Sequence, residues 1–214
     1  MEAASEVATR VGNSKGEQTR DRILDVAKTL ILARGYSGTS LDDILKASGL
    51  TKGAFFYHFR SKNELARALI GKTWAEDHRF FDDMARRARE MSDDPLQAAL
   101  IFLRLFEEEL EANLHSPFSC LFASYLYESE QFDGETRQFL SDGLGQWVSI
   151  YESMFAPIFE TRQPRIRVTA RELAQTIASV LEGGFILSKA QGDSGPSIAT
   201  ARQFREHLKL VFAD

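Results

Sequence analysis

Residues 47–66 read ASGLTKGAFFYHFRSKNELA. Gly49 stops one helical pattern, and two residues later Thr51 is placed to cap a short helix reaching about Tyr57. Ser61-Lys-Asn-Glu64 is a capping box that starts the next helix. Upstream, Ser40-x-x-Asp43 opens a helix whose buried stripe is Leu41, Ile44 and Leu45. Before it, Ile23, Leu24, Ala27, Leu30 and Ile31 share one face of a helix expected to run from Thr19 to a stop at Gly35. Short helices joined by a tight glycine turn have the layout of a helix-turn-helix.

The segment after that turn has two readings. In one it is a capped turn whose Phe55 and Phe59 fill a core. In the other it is a recognition helix that enters the major groove by its N-terminal end. Gly53 favours the second, because an interior glycine costs a helix about 1 kcal/mol relative to alanine. With so little side chain, Gly53 and Ala54 would let the backbone approach bases. Ala54 would meet a thymine methyl, and Lys52 a guanine edge or a phosphate. Thr51, Tyr57, His58 and Lys62 would donate to phosphates and set the register. Thr39 and Ser40 sit at another helix N-terminus, a natural phosphate position.

Outward from this segment the chain reads as all-α. Residues 1–17 are small and polar, the pattern of a mobile tail. The expected organisation is a helix-turn-helix domain at 18–66 and a larger helical bundle at 67–214, with about nine helices in all. The fourth helix is expected to reach Met91, and Asp94-Pro95 restarts the chain. Further helices are expected at 95–114, 118–128, 134–155, 168–190 and 197–212, with breaks at Pro117, near Pro157 and at Pro164. Charge is divided in the same way: residues 1–70 balance to +3, the remainder to −8. A basic head on an acidic body suits a nucleic-acid module joined to another function.

The stretch Thr39-Ser-Leu-Asp-Asp-Ile44, followed by residues 47–65, resembles the DNA-binding domain of the TetR family of bacterial transcriptional repressors. The likeness covers about residues 19–69. It implies a homodimer, two helix-turn-helix heads on double-stranded operator DNA, and a C-terminal domain that binds a small-molecule inducer. It carries the family's DNA contacts onto Thr39, Ser40, Thr51, Lys52, Gly53, Ala54, Tyr57, His58 and Lys62. Position 56 departs from the pattern: the family usually has tyrosine there. Phe56 lacks the hydroxyl and is left to pack on a sugar or a thymine methyl.

The body holds 18 of the 23 aromatic residues. Phe102 and Phe106, then Phe118, Phe122 and Tyr125, then Trp147, Tyr151 and Phe155 recur at helical spacing. Each ring is accounted for by core packing; as a group they would line an apolar pocket between helices, and the resemblance points to that pocket as the inducer site. The run Glu107-Glu-Glu109 with Glu111 reads as a solvated helix face. Cys120-Leu121 has two readings. It is a small buried hydrophobe, or, by likeness to some family members with a Cys-Leu pair at a similar place, an electrophile or redox sensor; here Ser119 precedes the pair where glycine is usual. Leu173, Ile177, Val180, Leu181, Phe185, Phe204 and Leu208 form apolar stripes on the last two helices, and Gly183-Gly184 permits close backbone approach. They read as an intrachain hairpin, or, by the resemblance, as a four-helix dimer interface.

Other classes have little support. The four histidines, His58, His78, His115 and His207, form no metal pair, so no metal or cofactor is expected. No nucleophile elbow, phosphate loop or dinucleotide fingerprint is present, and no enzyme is expected. A helical adaptor whose helix-turn-helix only packs stays as an alternative. One cysteine forms no intrachain disulfide, and no apolar run approaches a membrane span, so the expectation is a cytoplasmic protein.

Overall fold

The computed structural model describes residues 14–112 and 120–213. Among these it has nine α-helices, one 3-10 turn and no strand. Helix α1 (Lys15–Arg34) begins four residues before the expected Thr19. Ser14 accepts from the Glu17 N–H at 3.2 Å, and Glu17 accepts from the Ser14 N–H at 2.7 Å. This capping box lies in a polar stretch with no apolar periodicity to announce it.

Helix α2 (Leu41–Ser48) has the expected Ser40–Asp43 box and ends at Gly49, whose φ of 66° is left-handed. Helix α3 (Lys52–His58) is capped by Thr51, which accepts from the Ala54 N–H at 3.2 Å. Helix α4 (Lys62–Met91) forms only half of its expected box: Ser61 accepts from the Glu64 N–H, but the Glu64 carboxylate takes the Arg60 N–H instead.

The body adds α5 (Pro95–Ala112), α6 (Leu121–Leu126), a 3-10 turn (Ser129–Gln131), α7 (Gly134–Thr161), α8 (Ala170–Gln191) and α9 (Gly195–Val211). The expected break at Pro117 lies outside the described residues. The expected break near Pro157 does not occur: α7 continues through that proline for four more residues. An interior proline removes one hydrogen bond and costs about 3 kcal/mol. Met154, Phe155 and Ile158 flank it and are all buried, so core packing on both sides holds the helix together.

Two apolar cores organise the chain. One joins α5, α7, α8, α9 and the far half of α4. The other contains Ile23, Leu24, Ile44, Phe55, Phe59 and Leu65 from the N-terminal helices. It also contains Phe122 and Tyr125 of α6, so the head is seated on α6 and on the continuous helix α4.

The acidic run on α5 is a correction. Glu107 is fully buried, not solvated. Its carboxylate meets Arg205 at 2.5 Å, Arg104 at 3.4 Å and Arg202 at 3.8 Å. This cluster ties α5 to α9.

Candidate nucleic-acid interface and ligand cavity

The turn at Gly49 sets α3 against α2, with Ile44 and Phe55 buried beneath. What α3 leaves outside is unusual for a packing helix. Tyr57 is 83% exposed and Phe56 45%. Thr51, Lys52 and Gly53 are exposed, and Ala54 and His58 are half-buried. Gly53 has no internal reason to be glycine: its φ is not positive, and an added Cβ would come no nearer than 3.9 Å to Thr51 Oγ1. The surface is bare, aromatic and cationic along one short helix.

Three expected contacts are placed differently. Thr39 is buried, and its hydroxyl donates to the Gly35 carbonyl at 2.9 Å, so it serves the α1–α2 turn and not a phosphate. Ser40 is exposed, but its hydroxyl donates to Asp43 at 2.6 Å, and that carboxylate already occupies the N-terminus of α2. Lys62 turns inward: its ammonium lies 3.8 Å from the Tyr36 ring centre and donates to the Tyr36 carbonyl. Burial draws its pKa down against the opposing pull of Glu128. Periodicity gives no view of Arg22, which is exposed and places its guanidinium beside the turn at Gly49. Its position is tertiary, since α1 precedes the motif.

A half-open cavity of about 320 Å³ lies between α1, α4, α5, α6, α7 and α8. Of the expected lining, Phe106, Phe122, Trp147 and Tyr151 are there. Phe102 and Phe155 are instead solid core, and Tyr125 packs with Tyr36 and Phe132 under the head. Phe118 lies outside the described residues. Not foreseen were Thr73, Asp77, Phe80 and Phe81 of α4 and Glu182 of α8. Spacing at i, i+4 specifies a helix face; which gap that face meets depends on the other helices.

The cavity's polar groups are few and confined. Burial pushes the Asp77 carboxyl up to about 6, against Lys28, and raises Glu182 as well. The Cys120 thiol donates to Glu182; burial and that carboxylate push it up to about 12. Cys120 thus stands on the cavity wall, and its surroundings act against the lowered pKa that a sensor thiol uses. Thr73 Oγ1 and Trp147 Nε1 are buried with no hydrogen-bond partner among the described residues.

The expected dimer residues divide. Leu173, Ile177, Leu181, Phe204 and Leu208 are buried in the chain's own core, and Leu181 and Phe185 line the cavity. Gly184 faces inward, where a Cβ would collide with Thr200. Those stripes therefore build the intrachain hairpin. Val180 lies in an open, apolar groove with Thr176, Ala199, Thr200, Gln203 and His207, beside the unobstructed Gly183. Among the described residues no helix is long and apolar enough to cross a membrane, and no group of three or more His, Cys, Asp or Glu is placed to hold a metal.

The head is a helix-turn-helix of the DNA-binding type, carried on a helical body with a half-open, largely aromatic cavity. Residues 23–69 match the family of bacterial regulatory proteins, tetR family, and residues 95–203 match the C-terminal domain of LmrA/YxaF-like transcriptional regulators. The chain belongs to the TetR family of DNA-binding transcriptional regulators, which are not enzymes. It is 28% identical over 198 residues to the transcriptional regulator LmrA of Bacillus subtilis, covering 89% of this chain and 97% of that protein. It is 22% identical over 190 residues to IcaR of Staphylococcus aureus, a negative transcriptional regulator of a biofilm operon, covering 88% and 94%. A solved TetR-family regulator from Agrobacterium tumefaciens shares the fold at a TM-score of 0.77, with 20% identity over 93% of this chain and all of that one.

Proposed function

We propose that the chain is a dimeric repressor that leaves a near-palindromic operator when a small ligand fills the cavity of its body. The observation that carries the DNA-binding surface is α3: an exposed Tyr57 and Lys52 flank a glycine that the fold itself does not need. Thr51, Lys52, Gly53, Ala54, Phe56, Tyr57 and His58 meet the DNA, with Arg22 added beside the turn. Thr39 and Lys62 act indirectly, by holding the α1–α2 turn and Tyr36 in place. The negative regulator IcaR supports repression as the direction of control. The protein acts in the cytoplasm, beside its operator.

Two heads must reach successive major grooves about 34 Å apart, which requires a dimer. The open groove around Val180, Thr176, Gln203 and His207 is the face that pairs. A ligand shifts the dimer off DNA only by preferring the conformation with badly spaced heads; a full reversal from 99:1 to 1:99 takes roughly 5.5 kcal/mol of differential affinity.

The test is fluorescence anisotropy on duplexes tiled across the DNA upstream of the gene, at two salt concentrations. Tight, salt-sensitive binding to one tile, weakened in Lys52→Ala and Tyr57→Phe, is expected. Indifference to every tile and to random DNA at low salt would leave the adaptor reading in its place.

A further inference from the structure

We propose that the cavity takes an organic cation, an aryl or alkyl ammonium whose charge is met by Asp77 of α4 and Glu182 of α8. This inference rests on the reading of the cavity as the regulator's ligand site. Asp77 and Glu182 come from different helices and both line the same half-open, largely aromatic cavity. Among the described residues, no ion pair reaches either one, and the only partner of Glu182 is the weakly donating Cys120 thiol. Lys28 is the single cationic residue on the wall; its ammonium pairs with Glu76, 3.6 Å away, and only partly offsets the effect of burial on Asp77. Carboxyls drawn partly out of water, as both of these are, cost more to ionise unless a positive charge meets them.

The remaining lining fits the same guest. Phe81 stands edge-on to Trp147 at 5.1 Å and to Tyr151 at 5.8 Å, so neighbouring walls of the cavity are aromatic. Rings of this kind attract cations, tryptophan most strongly. Thr73 is only 5% exposed, lines the cavity, and has a hydroxyl with no partner. Its lone pairs suit an ammonium N–H. The unpaired Trp147 N–H offers a place for an ether or carbonyl oxygen on the same guest. An anion would add a third negative charge, and a neutral guest would leave both carboxyls as they are.

The experiment uses the full chain and three probes with one ring system: 1-naphthylmethylammonium, 1-naphthylmethanol and 1-naphthylacetate, each titrated by calorimetry at neutral pH. The cation is expected to bind about tenfold more tightly than the alcohol, with the acetate weakest. In the double variant Asp77→Asn, Glu182→Gln, the cation and alcohol should come within about threefold of each other, while the alcohol's own affinity, which reports an intact cavity, holds. Equal binding of the three probes, no binding of any, or a cation advantage that survives in the double variant would overturn the proposal. Operator anisotropy separates this from the repressor reading. A cation that binds with the expected preference yet leaves DNA in place upholds the ligand class and counts against ligand release. Release of DNA by a neutral or anionic compound, with no cation binding, does the reverse.

Discussion

The Glu128 carboxylate, just past α6, accepts the backbone N–H of Tyr36 at 2.8 Å, 92 residues earlier in the chain. It also accepts the Ser37 N–H at 2.7 Å. One side chain of the body thus holds the turn that leads into α2. The same helix, α6, begins at the cavity wall with Cys120, Leu121 and Phe122. Removing the carboxylate leaves two backbone donors of the turn unmatched. Glu128→Ala should cost about 1–3 kcal/mol in urea unfolding.

The same contact has a pH signature. Burial alone would raise the Glu128 pKa, but hydrogen bonds from Ser37 and Tyr36, with Lys62 nearby, outweigh it and hold the group below its ordinary 4.5. A carboxyl lowered in the folded state stabilises that state above pH 4.5 and loses its contribution as pH falls through the lowered value. Thermal melts from neutral pH down to about pH 3 should fall more steeply for the parent than for Glu128→Gln. Parallel curves would mean that the hydrogen bonds do not form in solution.

Gly53→Ala separates stability from function. Nothing in the fold blocks the added methyl. The variant should gain about 0.5–1 kcal/mol of stability through helix propensity. It should nevertheless bind operator more weakly, because the methyl stands between α3 and the groove. Unchanged DNA affinity in a stabilised protein would move the interface away from Gly53.

Glu107 tests a buried charge cluster. Glu107→Ala strands Arg205, of which only 16% of the side chain is exposed, and should cost about 3–5 kcal/mol by urea unfolding. Replacing Glu107 and Arg205 together by leucine should recover much of that loss. A loss in the single variant below about 1 kcal/mol would show that the cluster is hydrated in solution.

The outer face of α8 and α9 can be probed without touching the core. Val180→Asp should yield a folded monomer by light scattering, with normal helical content and weak operator binding. Leu173→Ala, whose side chain is buried within the protomer, should cost about 2–5 kcal/mol and leave the oligomer intact. Dimer loss in the second variant and not in the first would exchange the two roles.

The sequence by itself determined the helical class, the helix-turn-helix and most helix limits. These features are local. Ser40, Thr51 and Ser61 bond to backbone N–H groups three residues on, and Gly49 supplies a left-handed stop. Such chemistry is complete within a few residues, so it can be read along the chain. The tertiary structure alone decided that α7 passes through Pro157 and that Glu107 is buried among arginines. It also turned Lys62 toward Tyr36 and divided the apolar stripes of α8 and α9 among core, cavity and outer groove. Periodicity gives each side chain a direction from its own helix axis. What stands in that direction is set by helices distant in sequence, and only their packing determines whether the side chain meets core, ligand, partner or water.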